Sequence, residues 1–270
     1  MRSVKHDTFI KYDHHSMRTI DTIMANIANL RVHIVPVGFE VDRVIIPAKN
    51  MKADKVWLLV HDNSSEDKGL PYVEKIQNEF KKMKIKVEIS KVNRLNLFQI
   101  IRAIKEIIEK ENDNDIYINV ASGSKIHAIA CMMASMMFNE KQNIKPFYAE
   151  AERYAAFEGK QQSFGVKTMM PLPTYEIHRP RPELVKALKI IKEYGGRIRK
   201  KEMAELAEQN GLISIHAREE NFEQARYASL DKNIIQPLVD NWKFVEVERV
   251  GRNRWVQITE AGSHAAEFLI

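Results

Sequence analysis

A single cysteine in 270 residues rules out a disulfide framework and sets the expectation of a reducing, cytoplasmic home. Cys131 lies inside an apolar helical run and reads as a small buried hydrophobe rather than a reactive thiol. Long apolar runs are missing too. The most apolar stretch, Ala128 to Phe138, is far shorter than the ~20 residues that cross a bilayer, so no membrane partner is expected. The first 30 residues hold no apolar core of a secretory signal. They read as a polar extension ending in a short helix around Ile20 to Leu30. Its His6, His14 and His15 lack the carboxylate or cysteine spacing of a metal site, and no metal or cofactor is expected. Neither G-x-x-x-x-G-K-S/T nor G-x-G-x-x-G occurs, which excludes a Walker loop and a dinucleotide fingerprint.

What is present is globular in texture, with 44% hydrophobic and 29% charged residues. A net charge of +6 makes an anionic partner plausible without naming it. From about Arg31 to Glu152, strand-like and helix-like segments alternate. Val32 to Val37, Val56 to Val60, Lys86 to Val92, the run ending at Val120 and Pro146 to Ala151 read as strands. Between them, Pro71 opens one helix, and Leu97, Ile100, Ile101, Ile104, Ile107 and Ile108 form the stripe of another. A third, from Lys125 to Phe138, is apolar nearly all round, which fits either deep packing or a homodimer contact. The pattern predicts an α/β fold, a Rossmann-like, mostly parallel sheet.

Pro171, Pro173, Pro180 and Pro182 mark a linker, and the texture changes beyond it. Helices are predicted from Leu184 to the Gly195-Gly196 stop, from Lys200 to Asn210, and from Glu220 to Val239, with Pro237 bending or breaking the last. Two strands, Phe244 to Val250 and Arg254 to Ile258, meet at Gly251-Arg252-Asn253. Three helices and a basic-tipped hairpin describe a winged helix-turn-helix. The expected domains are a 1–30 extension, a 31–170 ligand-binding domain, a 171–182 linker and a 183–270 winged helix-turn-helix domain.

The stretch that carries most chemistry is Asn119-Val120-Ala121-Ser122-Gly123-Ser124-Lys125, a strand end, a small hydroxyl-rich turn and a helix start. Gly123 permits close backbone approach, the first helical N–H groups face the crevice, and Lys125 adds a full positive charge. A lysine there opposes the helix dipole unless an anion is near. That is a place to hold phosphate, with Asn119 able to meet a base edge or ribose. Gly38 and Phe39, after the first strand, should share the crevice. In the last third, Lys232, Asn233 and Gln236 lie on the predicted recognition helix. Arg249, Arg252 and Arg254 lie on the wing, and Arg197, Arg199, Lys200 and Lys201 form a second basic cluster. From Glu176 onward, Lys and Arg exceed Asp and Glu by only one, so contact with double-stranded DNA would be local rather than broadly electrostatic.

The PVGFEVDR segment, the NVASGSK segment and the linker LPTYEIHRPRPELV resemble archaeal transcriptional regulators with a CARF domain, the CRISPR-associated Rossmann fold, followed by a winged helix. The resemblance covers about Arg31 to the end. It implies a homodimer whose paired sites bind a cyclic nucleotide effector, most often cyclic tetra-adenylate. Ser122, Gly123, Ser124 and Lys125 would contact phosphates and riboses, with Gly38, Phe39 and Asn119 alongside. It departs from the family turn at Ala121 and Ser122, where threonine or a second glycine is common. No arginine has a histidine at the R-x4–6-H spacing of the HEPN nucleases. The expectation is a ligand-responsive regulator without catalytic residues. The rival is a metal-independent ring nuclease in which Ser122 or Ser124 orients a ribose 2′-OH and Lys125 stabilises developing charge.

Overall fold

The computed structural model describes residues 29–63, 67–141, 143–155 and 162–270. His6, His14, His15 and residues 1–28 of the predicted N-terminal extension lie outside these. Nine segments build the first unit up to its fifth strand: β1 (Arg31–Pro36), α1 (Asp42–Asn50), β2 (Lys55–His61), α2 (Leu70–Lys82), β3 (Lys86–Val92), α3 (Leu97–Lys110), β4 (Asp115–Asn119), α4 (Lys125–Met137) and β5 (Ile144–Glu150). A small hairpin follows, β6 (Arg153–Tyr154) and β7 (Ser163–Phe164), and then β8 (Thr168–Pro171).

The sheet order is β3-β2-β1-β4-β5-β8. The first five strands are parallel and β8 is antiparallel to β5. Central strands buried on both faces need apolar side chains on both, which is why β1 and β2 read as near-continuous hydrophobic runs. Val35, Leu58 and Val60 meet α1 and α2 through Val44, Val73, Ile76 and Phe80. Ile34, Leu59, Ile116 and Ile118 meet the isoleucine stripe of α3 and the Ala130, Cys131 and Ala134 side of α4. Asn96 caps α3, its Oδ1 accepting from the N–H groups of Phe98 and Gln99 at 3.1 Å each.

After β8, residues 172–181 run without helix or strand into the second unit. It comprises α5 (Pro182–Glu193), β9 (Arg197–Arg199), α6 (Lys200–Gln209), α7 (Phe222–Leu230), β10 (Val245–Val250), β11 (Asn253–Ile258) and α8 (Glu260–Leu269). The strands form an antiparallel β10-β11-β9 sheet, the wing, whose tip turns at Gly251 with φ +61. Pro237 does not break α7. Wide π turns carry the helical path on through Asp231–Ile235 and Pro237–Asn241, absorbing the missing N–H. The helix α8, which the sequence reading did not anticipate, docks the wing domain on the sheet domain. Its His264 and Phe268 rings stack on Phe98 of α3 at 4.7 and 5.9 Å, and Lys105 Nζ donates to Leu269 O at 2.7 Å. One apolar core therefore runs from Ile34 through α3 to Leu269. Among the described residues no helix is long and apolar enough to cross a membrane.

His33, on β1, is 1% exposed, with its ring between Tyr117 and Phe147 and no partner for either ring nitrogen. Burial, reinforced by Arg31, lowers its pKa to about 4. The unfolded chain then holds the extra proton between pH 6.5 and 4, so stability is lost as pH falls through that window. The loss attributable to His33 approaches about 3 kcal/mol at the acid end. His127, also lowered to about 4, adds a dependence of the same sign. His33→Leu should therefore flatten urea-unfolding stability against pH by about half of this histidine-linked part; an unchanged slope would disprove it.

Candidate functional site

The chain leaves β1 toward β2 on one side and leaves β4 toward β5 on the other. The crevice between the carboxyl ends of β1 and β4 is thus the topological switch point, where open α/β sheets bind ligands. Two short loops form its walls, and they meet backbone to backbone. A Cβ on Gly38 would stand 3.1 Å from Gly123 Cα and 3.2 Å from its nitrogen. Gly123 itself sits at φ +80, with Pro36 Cβ 2.7 Å from where its own Cβ would be, so only glycine fits there.

Ser122 and Asn119 brace these walls rather than face the crevice. Ser122, 2% exposed, donates from Oγ to Pro36 O at 2.5 Å, pinning the β4 turn to the end of β1. Asn119 is fully buried; its Oδ1 accepts from Ala121 N at 2.8 Å and its Nδ2 donates to Arg43 O at 2.8 Å. That second bond has a specific cause. Pro47 stands four residues beyond Arg43 inside α1 and has no N–H to give, so the Asn119 amide supplies the missing donor.

The mouth belongs to Gly123, Ser124 and Lys125. Ser124 is the N-cap of α4, and both it and Lys125 are exposed. Lys125 has no ion pair among the described residues, which leaves an exposed, unpaired cation at the start of α4. Phe39 is half-buried, edge-on to Tyr72 at 5.5 Å. Behind Ser124 lies His127, 4% exposed. Its Nδ1 lies 2.8 Å from Ser124 Oγ and accepts from Ser124 N at 3.2 Å, which places the ring proton on Nε2, where it finds no partner. Burial first, then the nearby charges of Arg94 and His61, lower its pKa to about 4 and keep it neutral at pH 7.

Sequence reasoning missed the cluster behind the β1 loop. Arg43, 5% exposed, donates from Nε to Ala149 O at 2.7 Å and holds Glu40 at 3.3 Å. Glu40 also accepts from Ser163 Oγ on the hairpin, and burial raises its pKa against the pull of Arg43. Charged residues inside the otherwise apolar PVGFEVDR segment were the available signal. Among the described residues no group of three or more His, Cys, Asp or Glu is placed to hold a metal.

In the second unit, Arg199, Lys200, Lys201, Arg252 and Arg254 come together on one cleft between α6 and the wing. Lys200 is 8% exposed and bonded to Asp231 at 2.6 Å, so its charge is spent inside the domain. Arg197 lies over the Trp255 ring at 4.7 Å and pairs with Glu248 at 2.7 Å. Arg249 stays at the wing, its Nε donating to Gly251 O at 3.3 Å. Lys232 and Gln236 are exposed in the later half of the α7 path, apart from the cleft, and Asn233 Nδ2 is taken by Ser229 Oγ at 3.1 Å.

Residues 31–154 match the family described as HFX_2341_N-like, N-terminal, and residues 183–270 match the DUF6293 C-terminal winged helix domain. The chain is similar to uncharacterized protein MJ1513 of Methanocaldococcus jannaschii, 30% identical over 191 residues, or 62% of this chain and 57% of that protein. It thus spans little more than half of that relative's length. Among solved structures it is similar to Enterococcus italicus Csm6 bound to cyclic hexa-2′-fluoro-hexa-dAMP. The identity is 11% and the TM-score 0.40, over 80% of this chain and 56% of that one. Can2 from Sulfobacillus thermosulfidooxidans in complex with cyclic tetra-adenylate gives 12% identity and a TM-score of 0.38, over 88% of this chain and 63% of that one. The chain thus joins a region that matches the HFX_2341_N-like, N-terminal family to one that matches the DUF6293 C-terminal winged helix domain.

Proposed function

We propose that this protein is a cytoplasmic, homodimeric transcriptional regulator that binds double-stranded DNA through its winged helix in response to a cyclic oligoadenylate. Cyclic tetra-adenylate is the favoured effector. The observation that carries the reading is the exposed start of α4 at the β1/β4 switch point, where a helix N-terminus and the unpaired Lys125 stand beside two loops in backbone contact. Dimerisation is supported by α4, whose Ile129 stays 53% exposed beside the half-buried Met132 and Met133. A second copy covering that face would bring two Lys125 mouths onto one axis, so a two-fold symmetric ring could be met identically from both sides. Ligand control then requires different affinities for two dimer arrangements.

Lys125→Ala should weaken binding of cyclic tetra-adenylate by about 1.5–3 kcal/mol, the worth of a charge-assisted hydrogen bond. Calorimetric titration of wild type and variant reads this directly, and equal affinities would move the pocket elsewhere. Gel shifts over fragments from the chain's own locus, with and without the ring, test the regulator. Absence of any bound fragment at low salt would remove it.

A second reading, cleavage of the ring, is favoured by one contact. His127, neutral at pH 7, stands 2.8 Å from Ser124 Oγ at the same mouth, the spacing of a hydroxyl and its base. Recovery of intact ring after prolonged incubation would dismiss it.

A further inference from the structure

A helix-turn-helix normally reads bases with the first turns of its recognition helix in the major groove. Here those turns are acidic. Glu219 and Glu220, in the turn just before α7, and Glu223, in its first turn, are exposed and lie between Arg218 and Arg226. Arg226 is already held by Glu223 at 2.7 Å and Glu208 at 2.8 Å. One carboxylate can accept a hydrogen bond from a cytosine amino group, but three at the leading end of a helix in the groove would face phosphates on both groove walls.

A cluster of unpaired cations lies elsewhere. A cleft of about 730 Å³ separates the start of α6 from the wing, and Arg199, Lys201, Arg252 and Arg254 line it with no ion pair among the described residues. Arg199 is steadied over the Trp255 ring at 5.3 Å, a rigid sheet residue. Glu202 and Glu205 lie on the α6 wall, which leaves the wing side as the cationic approach. The Lys200–Asp231 bond ties the start of α6 to the residue just past α7, and both line the cleft.

The geometry points to wing-led DNA binding: a duplex backbone seats in the cleft, Arg252 and Arg254 make the main phosphate contacts, and the N-terminal half of α7 is held off the major groove. This rests on the DNA-binding reading above and specifies its mode. Such contacts position the protein with little base readout, so affinity is salt-steep and sequence-tolerant.

Fluorescence anisotropy with a mixed-sequence duplex, titrated over a range of salt, separates the cases. The Arg252→Ala/Arg254→Ala variant should lose roughly tenfold or more in affinity, and its log–log salt slope should fall by about 1.8. The Glu219→Gln/Glu220→Gln/Glu223→Gln variant should bind as well as wild type or better. Loss of affinity in the glutamine variant, or none in the arginine variant, overturns the wing-led mode while leaving DNA binding intact. A wild type that binds no duplex at low salt overturns the regulator reading itself.

Discussion

Arg43→Ala is expected to cost about 3–5 kcal/mol of unfolding free energy, the range for breaking a buried ion pair from one side. The arginine is buried, bonds Ala149 O, and lies 5.0 Å over the Tyr148 ring, so truncation also empties a packed space. Glu40 would then be a buried carboxylate without a counter-charge. Its pKa is already raised by burial, with Arg43 as the main opposing pull. Without that pull it rises further, and the folded state takes up a proton. The sign follows: a group with a raised folded pKa stabilises at low pH and loses that contribution as pH climbs. The deficit of Arg43→Ala should therefore shrink on acidification, and adding Glu40→Gln should recover part of it at neutral pH. Urea unfolding of the two single variants and the double variant at two pH values checks this cycle. A single variant within about 1 kcal/mol of wild type would refute it, since that is the scale of an ordinary surface change.

The same cluster shows what the sequence conceals. The parallel strands were legible because a strand covered on both faces must be apolar on both, and α3 because its isoleucines recur at helical spacing. The turn at Gly123 was legible because strand, glycine, N-cap serine and helix follow one another directly. The buried duty of Asn119 was not. It depends on Pro47, which is remote in sequence and deprives Arg43 O of its helical partner, so a polar residue at a strand end becomes a brace. The sequence pattern leaves the helix α1 unassigned, and Pro47 stands inside it. Lys200 read as a DNA contact because its neighbours are basic, whereas helix phase turns it inward to Asp231. The π turns around Pro237 had no signature, because a proline in a helical pattern ordinarily ends it. The strands β6, β7 and β8 are two to four residues long, too short for any period to show.

What α8 does was also concealed, and it is the site of the other large effect. A Cβ on Gly262 would lie 2.0 Å from Phe244 O and 2.8 Å from its carbonyl carbon, with Ile258 Cγ1 at 2.9 Å. Two of the three obstacles are backbone, so no rotamer change relieves the clash; α8 must lift from the start of β10. The Thr259 cap, whose Oγ1 accepts from Gly262 N at 3.0 Å, shifts with it. Gly262→Ala should therefore cost about 3 kcal/mol or more, the upper end for overpacking. The damage should spread along one route. His264 and Phe268 carry the stacking on Phe98, and Phe98 lies in the first turn of α3, just after its Asn96 cap. Lifting α8 separates the wing domain from the helix α3 that lies against the parallel sheet. The expected result is two unfolding transitions in place of one, with the wing domain melting first. Under the proposed function, binding of cyclic tetra-adenylate at Lys125 should persist while any influence of the ring on DNA binding disappears. A single transition at the wild-type midpoint, with DNA binding still ligand-dependent, would show that the coupling between the domains does not run through α8.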